Sequence, residues 1–139
     1  MDKLYDKVRV LCYVPSAENS LQSEARPVIN TWGKHCNKLI FFTETEHQGF
    51  PTVALGIPDT GGYNLTYKMF VAMKYLHDHH LNDFEWFIKA DTDTYVIVEN
   101  LRYMLSAHKP TEPIFFGQHF KVGTYTSLFY DLKKRQIDK

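Results

Sequence analysis

The chain lacks several features that would assign it to a class at once. No stretch approaches the run of about 20 apolar residues that a membrane-spanning helix needs, and the start, MDKLYDKVRV, has no apolar centre of the kind found in signal peptides. The formal net charge is zero, so no overall field attracts nucleic acid or an anionic membrane. The sequence predicts a soluble chain without a nucleic-acid partner, which is either cytosolic or separated from its targeting segment.

Cysteine is also scarce, because Cys12 and Cys36 are the only two and they lack the CxxC spacing of redox or zinc sites. In a cytosolic protein they would be buried thiols, whereas in a secretory protein they could form a disulfide. Such a bridge would close a loop of about 25 residues. The spacing alone leaves both alternatives open.

What is present is typical of one globular domain, since 139 residues can bury a substantial core. The pattern predicts strands at 8–14, 38–43, 84–90 and 114–117. It predicts helices at 23–34, 65–80 and 98–108. Between them, segment 44–62 has little periodicity and is broken by proline and glycine.

Two helix starts can be placed by residue type. Ser23 is a plausible N-cap for the first helix, with Glu24 and Pro27 in its first turn, the one helical turn that tolerates proline. Asn64 is the corresponding candidate for the second helix. That helix ends in His77-Asp-His-His80, where cationic side chains interact favourably with the helix dipole, so a structural role is favoured there over a metal site.

Alternation of strands and helices predicts an α/β fold with a mainly parallel sheet and right-handed crossovers. Ligands bind such sheets beyond the carboxyl ends of the strands. Ser16 follows the first strand, and Asp91 and Asp93 follow the third. The sequence therefore places these three residues at one edge of the sheet.

The stretch WFIKADTDTYV, residues 86–96, ends an apolar strand on two carboxylates that are one residue apart. Carboxylate oxygens are the ligands that Mg²⁺ and Mn²⁺ prefer, and such an ion can also bind a substrate diphosphate. The alternative is a solvated turn in which Asp91 caps a backbone group. An Asp-x-Asp pair occurs often by chance, but its place at the end of a buried strand favours the metal site.

Two enzyme classes use this arrangement. In phosphotransferases of the haloacid dehalogenase type, Asp91 would be the nucleophile and Asp93 the general acid or base. In nucleotide-sugar transferases the pair holds a metal on the leaving diphosphate. The phosphotransferase motif usually opens its domain and is followed by a second acidic pair, whereas here strands precede the motif and no such pair follows.

Five stretches together resemble glycosyltransferase family 31, namely TWG, CNKLIFF, YNLTYK, WFIKADTDTYVIVENLRYML and PIFFG. The resemblance covers residues 7–120 and is specific in order and spacing. It implies a GT-A, Rossmann-like donor-binding region over 1–120, followed by a divergent or truncated tail at 121–139.

The resemblance also implies an activity. The similar branch of the family transfers galactose from UDP-galactose, with inversion and with Mn²⁺, to N-acetylgalactosamine on Ser or Thr of glycoproteins. Such enzymes are type II Golgi membrane proteins with a lumenal catalytic domain, and a homodimer of the full-length protein is compatible with this. A chaperone-like relative that does not catalyse transfer is the alternative, although that relative lacks the acidic pair.

Roles within the acidic motif follow from the resemblance. Asp93 would bind the metal, and Asp91 would hold the metal or the donor ribose. Thr92 stands where the family often has a third aspartate, and it is counted among the donor-binding residues.

Other expected site residues lie outside the motif. By position in the family, Lys68 is a donor-side residue, and Ser16 with Arg26 fits the nucleotide. The family's matching cysteines pair with each other, which implies a disulfide between Cys12 and Cys36.

One family element has no counterpart in the tail. The acceptor-binding half carries the carboxylate proposed to take the acceptor's proton, and residues 121–139 do not resemble it. The catalytic base therefore has no assignment, and the chain alone is expected to bind the donor weakly without transferring sugar.

Overall fold

A four-stranded sheet lies at the centre of the computed structural model, which describes residues 3–58 and 62–117. The strands are β1 (Val10–Pro15), β2 (Lys38–Thr43), β3 (Thr52–Ala54) and β4 (Trp86–Lys89). They lie in the order β3-β2-β1-β4, and every neighbouring pair is parallel. The α/β class and the parallel sheet are thus confirmed, while the predicted tail at 121–139 lies outside the described residues.

Within these described ranges the α-helices are α1 (Lys3–Lys7), α2 (Arg26–Asn30), α3 (Gly62–His80) and α4 (Val98–Leu105). They pack on both faces of β1, whose side chains alternate between two cores because successive residues of a strand point to opposite faces. Val10, Cys12 and Val14 belong to one core, which also contains the buried Val28 of α2 and Val98 of α4. The opposite core is formed with Ala72 and Leu76 of α3.

The predicted helix at 23–34 is wrong as a single element. The chain instead forms a 3₁₀ turn (Glu18–Ser20), a π-helical turn (Leu21–Ala25), α2 and a second 3₁₀ turn (Trp32–His35). Pro27 does lie in the first turn of α2. Ser23 is not the N-cap, because its hydroxyl donates to the carbonyl of Ser20 at 3.3 Å.

Three further predictions need correction. Helix α3 begins at Gly62, so Asn64 lies inside it and is not its N-cap; its amide donates to the carbonyl of Pro58 at 3.4 Å. Strand β3 falls inside the segment predicted to be irregular, because three residues are too short to show a period. Residues 114–117 do not form a strand; Phe116 packs instead against the rings of Trp86 and His108.

The disulfide between Cys12 and Cys36 is present, with the two Cα atoms 6.1 Å apart. It joins the central strand β1 to the residue two positions before β2, and both cysteines are buried. On the loop-entropy account, closing this loop stabilises the fold by roughly 3.5 kcal/mol. The pairing that the family resemblance implied is confirmed.

Arg102 of α4 is a buried charge, with only 4% of its surface exposed. Its guanidinium donates to the carbonyl of Val8 at 3.2 Å, to the carbonyl of His35 at 2.7 Å and to the side-chain oxygen of Asn37 at 2.7 Å. These acceptors flank β1 and β2 on the amino side, so one side chain attaches α4 to both central strands.

We expect Arg102→Met to lower the free energy of unfolding by about 3 kcal/mol, because it leaves buried carbonyl oxygens without their charged donor. Lys74→Met is the matched control, since Lys74 makes an exposed ion pair with Asp78 and such pairs contribute little to stability. Urea unfolding under non-reducing conditions measures both. Equal stability of the two variants would contradict the anchoring role of Arg102.

His80, the last residue of α3, is enclosed by aromatic rings. Its side chain is 10% exposed, and within the described residues neither ring nitrogen has a hydrogen-bond partner. Tyr75 and Phe84 meet it edge-on at 5.9 and 6.0 Å, and the Asp83 carboxylate is 3.6 Å away. Burial and the charge of Lys38 lower the pKa of His80, although Asp83 opposes this.

The lowered pKa of His80 gives a pH dependence with a definite sign. Because the unfolded chain binds a proton near pH 6.5 and the folded chain binds it only at lower pH, His80 should cost stability as the pH falls below about 6.5. His80→Phe should therefore lose less stability than the wild type between pH 7.5 and 5.5 in urea unfolding. His77→Phe, at a side chain that is 68% exposed, should behave as the wild type. Equal losses in all three proteins would refute this assignment.

Candidate functional site at the carboxyl edge of the sheet

The acidic motif forms a tight turn directly after β4. Ala90 still follows the sheet, with its amide donating to the carbonyl of Tyr13 at 3.1 Å. The amide of Thr94 then donates to the carbonyl of Asp91 at 3.1 Å, which closes a turn over residues 91–94. We call these four residues the acidic turn. The side chains of Asp91 and Asp93 are both exposed, so they are free of the core and available to a ligand.

An ion pair between the last residue of β4 and the acidic turn partly balances the charge of this turn. Lys89 donates from its ammonium to Asp91 Oδ1 at 2.5 Å, and the two side chains are 38% and 61% exposed. Exposed pairs of this kind contribute at most about 1 kcal/mol, so a divalent cation can compete for the Asp91 carboxylate. Sequence reasoning missed Lys89, although its position two residues before Asp91 was the available signal.

Thr92 connects the acidic turn to the segment that follows β1. Its hydroxyl donates to Glu24 Oε2 at 2.7 Å, across 68 residues of sequence. Glu24 belongs to the π-helical turn Leu21–Ala25. Sequence reasoning placed Glu24 in the first turn of a helix and gave no sign of this contact.

The segments that leave β1 and β2 are joined at the same edge. The amide of Ser16 donates to the carbonyl of Phe42 at 3.0 Å, and its hydroxyl donates to the carbonyl of Ala17 at 3.4 Å. Ser16 is 5% exposed, so this predicted nucleotide residue contributes to the structure of the edge through its backbone, and its hydroxyl is directed to a neighbouring carbonyl.

Glu18 forms a second link between these two segments. Its carboxylate accepts from the amide and the hydroxyl of Thr45, at 2.8 and 2.5 Å, and lies 3.4 Å from His47 Nε2. The hydrogen bond from the Thr45 hydroxyl is the largest cause that lowers the pKa of Glu18. Sequence reasoning missed this contact as well, since nothing in the local pattern pairs residues 18 and 45.

Arg26 and Lys68 lie near the starts of two helices. Arg26 begins α2 and stacks its guanidinium over the Phe50 ring at 4.1 Å. Lys68 lies in the second turn of α3 and is 5% exposed. Because α3 returns the chain from the end of β3 to the start of β4, its first turns lie on the carboxyl side of the sheet. Of the predicted donor-binding residues, Ser16, Asp91 and Thr92 follow strand ends at this edge, and the hydrogen bond from Thr92 to Glu24 links two of the segments there.

The donor set of the acidic turn fits a hard divalent cation such as Mn²⁺. Asp91 and Asp93 offer exposed carboxylate oxygens, which are suitable ligands for such an ion. In the described part of the chain, no cluster of three or more His, Cys, Asp or Glu side chains is arranged to hold a metal. A cation held by these two aspartates would complete its coordination with water or with diphosphate oxygens.

A comparison with known families matches the Fringe-like family model over residues 10–136. The chain belongs to the Fringe-like family. This confirms the resemblance to glycosyltransferase family 31, and it favours the sugar transferase over the phosphotransferase alternative. Within the described residues, no helix is both long enough and apolar enough to cross a membrane.

Individual relatives of this chain are named as glycosyltransferases or glycan synthases. It is 42% identical over 120 residues to glycoprotein-N-acetylgalactosamine 3-beta-galactosyltransferase 1 of Xenopus laevis, which covers 86% of this chain and 33% of the relative. It is 31% identical over 114 residues to human chondroitin sulfate synthase 3, in a match that covers 76% of this chain and 13% of the relative. It is 28% identical over 101 residues to mouse beta-1,3-glucosyltransferase, in a match that covers 72% of this chain and 20% of the relative. The chain spans a third or less of the length of each.

Proposed function

We propose that this chain is the donor-binding part of a galactosyltransferase that uses UDP-galactose and N-acetylgalactosamine on Ser or Thr of glycoproteins. The acidic turn at the carboxyl end of β4 carries the proposal, because it presents two exposed carboxylates where a parallel sheet binds its ligands. The choice of galactose and of this acceptor is supported by the 42% identity to the Xenopus enzyme.

The site residues take the following roles in this proposal. Asp91 and Asp93 would hold Mn²⁺, which when bound stabilises the negative charge of the departing UDP. Lys89 neutralises Asp91 until the cation binds. Arg26, whose guanidinium lies over the Phe50 ring, would contact the nucleotide, and Lys68 of α3 would contact the donor.

The proton of the acceptor hydroxyl needs a separate base, because in-line displacement with inversion requires a carboxylate on the acceptor side. The acidic turn does not serve this purpose, since its carboxylates are committed to the leaving diphosphate. The proposed contribution of this chain is therefore the binding and orientation of the donor. We propose that the whole protein is a Golgi enzyme with its catalytic domain in the lumen.

Metal-dependent binding of UDP tests the proposal. We expect Asp93→Asn to abolish Mn²⁺-dependent UDP binding, because it replaces a carboxylate ligand with a weaker neutral one. Stability should stay within about 0.5 kcal/mol, since the side chain is exposed. Calorimetric titration of UDP with and without Mn²⁺ measures the binding, and urea unfolding measures the stability.

Asp6→Asn is the matched control, because Asp6 is an exposed aspartate of α1, before the amino end of β1. It should bind UDP as the wild type does. UDP binding that is indifferent to Mn²⁺, or that is equal in the wild type and Asp93→Asn, would contradict the proposed site. A wild type with no UDP binding at all would favour the chaperone-like alternative.

A further inference from the structure

The hydrogen bond between Glu24 and Thr92 joins the middle of the acidic turn to a different part of the fold. Thr92 stands between the two aspartates, and its hydroxyl lies 2.7 Å from Glu24 Oε2. A bond at this place acts on both neighbours, because fixing the side chain of the central residue restricts the backbone from which Asp91 and Asp93 project.

Glu24 is held in a rigid setting. It lies between Leu21 and Ala25 in the π-helical turn, and these two residues are 3% and 0% exposed in the core. The amide of Arg26 donates to the carbonyl of Leu21, which closes the turn. Single π-helical turns of this kind often occur at functional sites. The backbone of Glu24 is therefore fixed by burial on both sides, while its carboxylate remains exposed at the edge.

The acidic turn has fewer constraints of its own. It is supported by the backbone bonds of Ala90 to Tyr13 and of Thr94 to Asp91, and by the ion pair of Asp91 with Lys89. The ion pair lies within the same strand end and moves with it. The contact of Thr92 with Glu24 instead ties the turn to a buried segment 68 residues earlier in the chain.

We propose that Glu24 is a positioning residue for the acidic turn, which holds Thr92 and so sets the directions of the Asp91 and Asp93 carboxylates. This inference rests on the proposed function of the turn as the metal and diphosphate site. Glu24 itself touches neither ligand.

The residue types at positions 24 and 92 are matched. A carboxylate accepts hydrogen bonds and cannot donate one, so Glu24 needs a donor at position 92, and the threonine hydroxyl supplies it. An aspartate at position 92, as the family often has, would bring a second carboxylate to the place where the Thr92 hydroxyl now meets Glu24. Like charges at that distance repel, so the two positions are coupled.

Amide exchange tests the mechanical part of the inference without any ligand. In Glu24→Met and in Thr92→Val, the Thr94 amide should exchange about tenfold faster, as measured by nuclear magnetic resonance. This rate corresponds to a decrease of about 1.4 kcal/mol in the free energy of local opening of the turn. The amide of Val14 in β1 should be unchanged. Glu24→Gln should retain slow exchange at Thr94, since its amide oxygen still accepts the hydroxyl proton.

UDP binding with Mn²⁺ tests the functional part. Glu24→Met and Thr92→Val should each weaken it about tenfold, and the double variant should be no weaker than either single one, because both remove the same bond. Glu24→Gln should retain most of the wild-type affinity for UDP. Glu112→Met, at an exposed glutamate far along the chain, is the matched control and should bind as the wild type.

The two arms separate the two claims. Unchanged Thr94 exchange in Glu24→Met, or additive losses of affinity in the double variant, would overturn the positioning role. A wild type without metal-dependent UDP binding would instead overturn the proposed function of the turn.

Discussion

The buried guanidinium of Arg102 is the contact on which the geometry of the candidate site depends. The acidic turn lies between β4 and α4, so its position is fixed only if both of these elements are fixed. Strand β4 is held by its ladder with β1. Helix α4 has eight residues, which is too short to be stable by itself, and Arg102 attaches it to Val8, His35 and Asn37. A charge at the amino side of the sheet thus helps to hold two carboxylates at the carboxyl side.

Because the net charge of the chain is zero, binding of the proposed charged donor would depend on local charges at the carboxyl edge. Glu18, Glu24, Asp91 and Asp93 gather at one edge, and the first three each have a partner there. Glu18 and Glu24 accept hydrogen bonds from threonines, and Asp91 meets Lys89. The Asp93 side chain is exposed at the same edge. The edge therefore offers carboxylates to a divalent cation, and a cation held there would in turn attract a diphosphate.

Much of the fold could be predicted from the sequence, and the exceptions have physical reasons. Long apolar runs gave the three main strands, and their alternation with helices gave the parallel sheet. The residue types Ser23, Glu24 and Pro27 predict the start of one helix after β1, whereas the π-helical turn depends on a bond from the Arg26 amide to the Leu21 carbonyl that residue type does not show. Residues 114–117 have the composition of a strand, yet Phe116 packs on Trp86 by its ring and makes no ladder.

Within the candidate site, residue types could be predicted and contacts could not. An acidic pair at a strand end is visible in the sequence, as is the edge to which it belongs. The partners of the pair follow from the three-dimensional path of the chain. Glu24 meets Thr92 only because the turn after β1 and the turn after β4 lie side by side, and no local pattern records that proximity.

The position of the disulfide has a consequence for the order in which the strands of the sheet pair. Cys12 and Cys36 are 24 residues apart, so β1, β2 and their bridge form a compact unit that contains no residue of β4. Strand β4 must then dock on the free side of β1, where Arg9 and Glu85 pair across 76 residues. Loop closure costs more as the separation grows, and we expect docking of β4 to follow formation of the β1–β2 unit. The acidic turn, which is carried on the end of β4, is then one of the last parts of the edge to be built.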